Sequence, residues 1–431
     1  EAANGVVLVT TKSGSKGTGR LEYTMQIGSQ SIGKYTEPMN AESYKTWLNE
    51  ANVGIEINEG ANLNTNWMEE TLNPALLQRH HLAFNGATET GFYYISGSYT
   101  GQNGVIGGDK SHYERFSMRT NITQQVKPWV KAGANLSYNH INKNSITEDS
   151  EYGGIVSSAL MMDPLTPVTY SGALPSFAQD ALNAGNTLLR NSDGLYYGLS
   201  PYVKGEIANP LALIELAKGG TTEDKFMGNM FLTLGDKSWK GFHITTRASA
   251  DINNQLFHTW YPTYWFSSER MNSQANLRDN TNAWFTWMWE NYVSYDNTFG
   301  KHNISAVAGI SAKQYTHKYI NTFSGAMFSE DDNYAQHGSV EIDGKVAGSL
   351  LDTRTSSYFA RASYEYDSKY LLSAIIRRDG TSLLHPDQRW GNFPSVSAGW
   401  IISRENFWNI ALIDFMKIRA SWGANGNLSG L

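Results

Sequence analysis

Few side chains in this 431-residue chain are spaced for chemistry on a substrate. His80 and His81 are adjacent, and neighbours on a strand point to opposite faces, so the two cannot share a metal ion. Glu330, Asp331 and Asp332 could offer oxygens to Ca²⁺, yet they lack the spaced ligands of a calcium loop. SGSKGTG (13–19) sets a lysine among glycines without P-loop spacing and reads as a flexible linker. No serine sits in a nucleophile elbow, and no two carboxylates stand out as a glycosidase pair. The absence of cysteine removes disulfides, thiolate metal sites and cysteine nucleophiles. The expectation is a protein that is not an enzyme, with no catalytic residues, no cofactor and no metal site.

What remains is chemistry of binding. Trp260, Tyr261, Tyr264 and Trp265, followed by Phe266, crowd one short stretch. Flat aromatic faces stack on sugars or peptides, so these four are the candidate substrate contacts, expected in an outer loop. Packing within that loop, or a place in an interface girdle, is the alternative. The net charge of −6 provides no basic stripe and argues against a nucleic-acid partner.

The elements that would carry such contacts are strands. Tyr370, Leu372, Ala374 and Ile376 alternate with Ser373, Arg377 and Asp379, with Ile375 as an exception. The stretch from Phe393 to Ile402 alternates again. A period of two with one apolar and one mixed-polar face marks a strand between two different solvents. Water and a packed core satisfy it, and so do lipid and a wet lumen. About thirteen such strands are expected: 20–31, 80–84, 92–101, 112–123, 129–140, 226–234, 242–252, 283–295, 302–314, 357–366, from 370, 393–402 and 415–422. Helical spacing is confined to Ala41–Ala51 and to the region of Tyr152–Met162. Residues 142–221 read as a long irregular excursion.

The connections decide between the two solvents. Short ones (86–91, 124–128, 235–241, 296–301, 366–369, 404–412) alternate with long ones (32–78, 102–111, 142–221, 255–281, 317–352, 380–389). Tight turns at one end and loops at the other are the habit of outer-membrane barrels. Aromatic content of 13% with only 17% charged residues agrees with lipid-facing strands. No run of apolar residues is long enough for a transmembrane helix. In a barrel, Val130, Ala132, Leu136, Ile244, Ala248, Ile304, Ala306, Leu372, Ala374 and Ile418 should face outward. Arg115, Arg119, Asn135, Arg361 and Arg419 should face the lumen.

The run RRDGTS, then RWGNFPSVSAGW, then SRENFW resembles the SusC/RagA family of TonB-dependent outer-membrane transporters. YYISGSYTGQNGVI, ERFSMRTNI and WVKAGANLSY extend the resemblance, and ANGVVLVTTKSG at 3–14 is similar to the last strand of that family's plug. The resemblance implies an all-β fold: an antiparallel up-and-down transmembrane β-barrel, partial here, with a remnant of the plug domain. Residues 1–18 would be the end of the plug and its linker, and 19–431 the receptor barrel, the chain being an internal fragment. It implies an integral outer-membrane protein that imports a bulky glycan or oligopeptide. Its partners would be a SusD-like surface lipoprotein, the TonB complex, membrane lipid and lipopolysaccharide. A passive porin or adhesin, or a secreted all-β glycan hydrolase, are the rival readings. Arg377, Arg378 and Asp379 are expected to brace the barrel wall rather than bind substrate.

Overall fold

The structure is a computed structural model. It describes residues 19–52, 54, 63–144, 146, 153–203, 205–216, 218–235, 237–327, 337, 340–410 and 412–426. The expected end of the plug with its linker, 1–18, and the acidic run 330–332 lie outside the described residues.

Among the described residues, thirteen strands form one antiparallel meander in chain order. They are β1 (Arg20–Gln30), β2 (Ala75–Ala87), β3 (Gly91–Gly104), β4 (Gly108–Lys127), β5 (Val130–Asn144), β6 (Lys218–Leu234) and β7 (Phe242–Tyr261). After a separate hairpin of β8 (Tyr264–Trp265) and β9 (Met271–Asn272), the sheet resumes. It continues with β10 (Asn276–Phe299), β11 (His302–Met327), β12 (Val340–Tyr366), β13 (Tyr370–Thr381), β14 (Trp390–Ile401) and β15 (Lys417–Gly423). Among the described residues each strand pairs only with its neighbours in this order, β7 with β10, and β1 and β15 are the two edges.

Directly paired residues share a face, so the register sorts every side chain across the sheet. All ten residues expected to face outward fall on one face, and Arg115, Arg119, Asn135, Arg361 and Arg419 fall on the other. The first face carries the exposed Leu21, Tyr23, Met25, Ile27, Met118, Ile310, Leu372, Val396 and Trp422. On the second, even small polar side chains are crowded: Asn121 and Thr245 are 4% exposed and Ser357 is 2%. Side chains diverge on the convex side of a curved wall and converge on the concave side. The apolar face is therefore the outside of the barrel and the polar face its lumen. Ile375 and Leu351 are exposed apolar exceptions on the inner face.

Two rows of aromatic rings bound the apolar band. At the tight-turn end, His302, Tyr366, Tyr370, Trp400 and Phe407 run ring to ring, with centroids 4.9 to 6.3 Å apart. Further along the same outer face, Tyr358 meets Trp390 at 5.7 Å. Trp390 pairs with Gly380, ten residues beyond Tyr370. Ten residues extend roughly 33 Å along a strand. With a tilt of about 40° that is a height of about 25 Å, the thickness of a barrel's lipid-facing band. Just beyond the upper row the outer face carries a polar cluster: Gln314 donates to Asp352 at 2.8 Å, and Arg354 pairs with the same carboxylate at 3.2 Å. Strands β10, β11 and β12, of 24, 26 and 27 residues, continue well past the band.

This extension corrects the expected connections. The ladder goes on above the lipid, where outward Thr316, Lys318, Gly348 and Asp352 interrupt the apolar Ile320, Val346 and Leu350 and the alternation of apolarity blurs. Residues 255–261, 276–281, 317–327 and 340–352 are thus strand, not loop. The connection expected to be long at 102–111 is a turn of three residues, 105–107, in which Gly107 and the following Gly108 take positive φ (79° and 50°). The connection expected to be short at 404–412 spans 402–416 and folds on itself, Trp408 Nε1 donating to the Ile413 carbonyl at 3.1 Å. The other tight turns hold. Asp367 and Ser368 both have positive φ, and Lys369 N–H donates to the Tyr366 carbonyl at 2.9 Å, a type I′ reversal.

The excursion at 142–221 is not irregular either. It folds into a cap with its own core, built on α3 (Ile155–Met161), α4 (Ser176–Asn183) and α5 (Pro210–Glu215). Ile155, Ala178, Ala181, Leu188, Leu199, Ala212 and Leu213 are buried together, with Ile106 of the β3–β4 turn among them. The β1–β2 connection adds α1 (Ala41–Ala51), which has the expected bounds, and α2 (Trp67–Thr71). Trp67 is fully buried and its indole donates to the Asp163 carbonyl at 2.7 Å. Asn209 caps α5 through Leu211 N–H, while its own amide donates to the carbonyls of Val168 and Gly198 at 2.9 and 3.2 Å. One side chain thus ties three segments of the cap.

Candidate functional site

The four expected aromatic contacts occupy three environments. Trp260 and Tyr261 end strand β7, so they are not in a loop, and as neighbours on a strand they face opposite ways. Trp260 is 1% exposed, packed on Ala275, Leu277 and Met327, with Lys218 Nζ 4.8 Å from its ring centroid. It has no free face for a ligand. Tyr261 is exposed. Tyr264 and Trp265 form β8 and pack against the core of the cap, Trp265 N–H donating to the Thr187 carbonyl at 2.8 Å. The four do not make one platform.

The inner face makes one elsewhere. Trp284 of β10 and His317 of β11 are direct partners in register and stack with centroids 4.8 Å apart and planes 8° apart. A polar chain runs from them across four strands. His317 Nε2 lies 3.0 Å from Asn282 Oδ1, Asn282 donates to Gln255 at 3.5 Å, and Gln255 donates to Glu223 at 3.5 Å. Beside it, Asn253 Oδ1 and Asn280 Oδ1 are shut off from solvent with no hydrogen-bond partner among the described residues, as is Arg247 Nε six residues along β7 toward the tight-turn end. Leaving such a group unpaired costs about 1–3 kcal/mol, so a wall holding three of them is suited to being covered by something polar. His317 lies five residues beyond Ala312, which stands level with Ser356 and Gly380 in register. The patch is therefore on the cap side of the lipid band. Flat rings beside amides and a carboxylate can stack on a ring or peptide plane and hydrogen-bond its edges. Sequence reading missed it, although WFTWMWE (284–290) carries the signal: its alternate members Trp284, Thr286, Met288 and Glu290 face inward.

The remaining candidates have structural roles. His80 and His81 do face opposite sides, His80 toward Tyr23 and His81 toward Tyr94. Among the described residues no group of three potential ligands could hold a metal ion. Arg377 grips Asp379 at 2.8 Å and reaches the buried Ser357 of β12 at 3.1 Å, bracing two strands as expected. Arg378 points outward over the Trp390 ring at 5.2 Å. In SRENFW, Arg404 donates to the Ser368 carbonyl at 2.7 Å, and Glu405 accepts from Tyr370, Trp400 and Lys369 at 2.6, 3.0 and 3.1 Å. These bonds hold the Glu405 carboxyl down at about 2, the Tyr370 hydroxyl contributing most. In the cap, burial pushes the Asp163 carboxyl above its usual range, although Ser200, Thr166 and the Leu165 N–H pull it back.

No protein-family model matches the chain. It is 27% identical over 437 residues to TonB-dependent receptor P3 of Formosa agariphila, covering 99% of this chain and 40% of that protein. It is 26% identical to TonB-dependent receptor SusC of Bacteroides thetaiotaomicron, covering 99% of this chain and 41% of that receptor. Among solved structures, the RagAB peptide importer in its open-open state superposes with a TM-score of 0.78 at 17% identity, covering 98% of this chain and 48% of that one. The chain thus spans about two fifths of the length of the curated relatives it matches. It has the fold of a partial transmembrane barrel and, over nearly its whole length, is a homologue of the SusC-type TonB-dependent receptors.

Proposed function

We propose that this chain forms most of one side of the barrel of an outer-membrane importer for a bulky nutrient, a glycan or an oligopeptide. The observation that carries the proposal is the division of the wall: an apolar band between aromatic rows outside, and a polar inner face bearing the Trp284–His317 stack above that band. Import would proceed by capture at the cap end and passage along the inner wall, without breaking a covalent bond of the substrate. By analogy with the receptors it resembles, a SusD-like surface lipoprotein would close over the substrate, and the TonB complex would supply energy by pulling on a plug. Residues 1–18 are proposed as the end of that plug, and 19–431 as barrel. Tyr261, with its exposed ring, is the member of the first aromatic cluster proposed as an additional contact. RagAB, whose fold this chain shares, is described as a peptide importer, and this supports trying oligopeptides first beside glycans.

The test is growth of the host on defined glycans and oligopeptides with the full-length gene intact, deleted, or intact in a strain lacking TonB. The expected result is loss of growth on one substrate class in both mutant strains. Growth that survives loss of TonB would favour the passive porin, and growth that survives deletion of the gene would end the proposal.

A further inference from the structure

The outer face carries a groove that the transport reading does not use. It lies between the two aromatic rows, with a volume near 510 Å³. Two register rows of small outward side chains form its floor: Ala306, Ala362 and Ala374, then Ala308 and Ala360. Tyr295 and Val293 wall one side and Ile376 the other. The next outward position above Ile376 on the same strand is Arg378. Its guanidinium is exposed and stands 5.2 Å over the ring of Trp390. Asp379 is taken by Arg377 on the opposite face, and Arg378 forms no ion pair with any described carboxylate. One strand over, Arg354 adds a second outward cation just above the band.

An unpaired cation at the edge of a lipid-facing band needs an anion that arrives with the lipid. The long connections mark this as the external edge. Here the lipid of an outer membrane offers sugar phosphates directly above several acyl chains. We propose that the groove binds a phosphorylated acyl glycolipid of the lipid A type, one acyl chain lying on the alanine floor and a phosphate held by Arg378. An acyl chain fits a floor of alanines because no side chain projects into it, and the guanidinium fork matches a phosphate in two hydrogen bonds.

The experiment uses the full-length protein in detergent, with native mass spectrometry as readout. The probes are diphosphoryl lipid A, the same lipid with both phosphates removed, and phosphatidylethanolamine. Diphosphoryl lipid A should bind in preference to both others. Arg378→Gln should weaken it about fivefold, as expected for one cation at a membrane surface. Arg378→Lys should restore only part of that loss, because it returns the charge without the fork, and Ala362→Phe should block the floor. Heat-modifiable migration on gels checks that each variant is folded, and Ala308→Leu replaces Ala362→Phe if the latter fails. Equal binding of all three lipids, or indifference to Arg378→Gln, would show an unselective lipid annulus and overturn the proposal. Dimers that disappear in Ala362→Phe while lipid binding persists would assign the groove to a second copy of the protein and overturn it equally.

Discussion

The Tyr370 hydroxyl donates to the Glu405 carboxylate at 2.6 Å, which ties the first residue of one strand to the connection that follows the next. The same carboxylate receives Lys369 and the Trp400 indole, and Lys369 also approaches Asp367 at 3.6 Å. A turn, two aromatic rings of the lower row and the 402–416 connection are thus fastened by one side chain. An ordinary glutamate starts from 4.5, whereas this one is held at about 2. A carboxyl depressed on folding contributes stability that is complete above its unfolded value and disappears as pH falls through its folded value. The full-length protein should therefore lose thermal stability between about pH 4.5 and 2 with a slope that Glu405→Gln flattens. Matching slopes in the two proteins across that interval would show that Glu405 is not the fastener.

The assignment of faces predicts opposite outcomes for two neighbours. Ala306 faces outward on the groove floor, and Ser305 faces inward between Asp296 and Ser363. Arginine at position 306 should cost about 2–4 kcal/mol, the depth-dependent penalty for a cation on the lipid face. Arginine at position 305 should cost little, with Asp296 within reach. Urea titration of barrels folded into vesicles measures both. Equal costs, or a larger cost at 305, would mean that the faces are reversed.

Gly198 predicts how the cap depends on close backbone approach. A Cβ there would collide with the Pro167 carbonyl oxygen, and the Gly198 N–H donates to the Val168 carbonyl at 2.9 Å. Gly198→Ala must push two backbone segments apart and should destabilise the cap by about 1–3 kcal/mol. Hydrogen exchange should accelerate over 166–199 while β10 to β14 keep their protection. Unchanged exchange in the cap would refute this packing.

The strands within the lipid band were legible because two different solvents impose a period of two, which fixed the face of Leu372, Arg361 and their partners. Above the band polar outward residues such as Lys318 and Asp352 are mixed with exposed Val346 and Leu350, and Leu351 is apolar on the inner face, so the pattern in 317–327 or 340–352 blurs although the ladder continues. The cap was legible only in part, where helical spacing marked the places of α1 and α3 but not of α2, α4 or α5, and for a different reason. Its helices are five to eleven residues long, and its core depends on single side chains such as Asn209 and Asp163 that join distant segments. The aromatic cluster at 260–265 drew notice by density, yet density does not report burial, and Trp260 is a core residue. The SRENFW string stood out by resemblance before its role was visible. Glu405 then proved to be the hub of the turn-end network.

The Trp284–His317 stack supplies the last prediction. In the full-length protein Trp284→Ala removes a flat face from the inner wall and leaves His317 with its Asn282 contact. Its neighbour Phe285 faces outward, so Phe285→Ala removes a similar area from the opposite side of the same strand. A ring contact is worth about 0.5–1.5 kcal/mol beyond its buried area, so Trp284→Ala should raise the half-saturating substrate concentration roughly threefold to tenfold. Maximal uptake should fall less, because in the proposed import passage and energy supply would not depend on that ring. Uptake of the substrate that supports growth, measured against concentration in strains with equal amounts of folded barrel, separates the two parameters. Equal effects of the two substitutions would mean that the stack only stiffens the wall. An increase confined to Trp284→Ala would mark it as a contact on the import path.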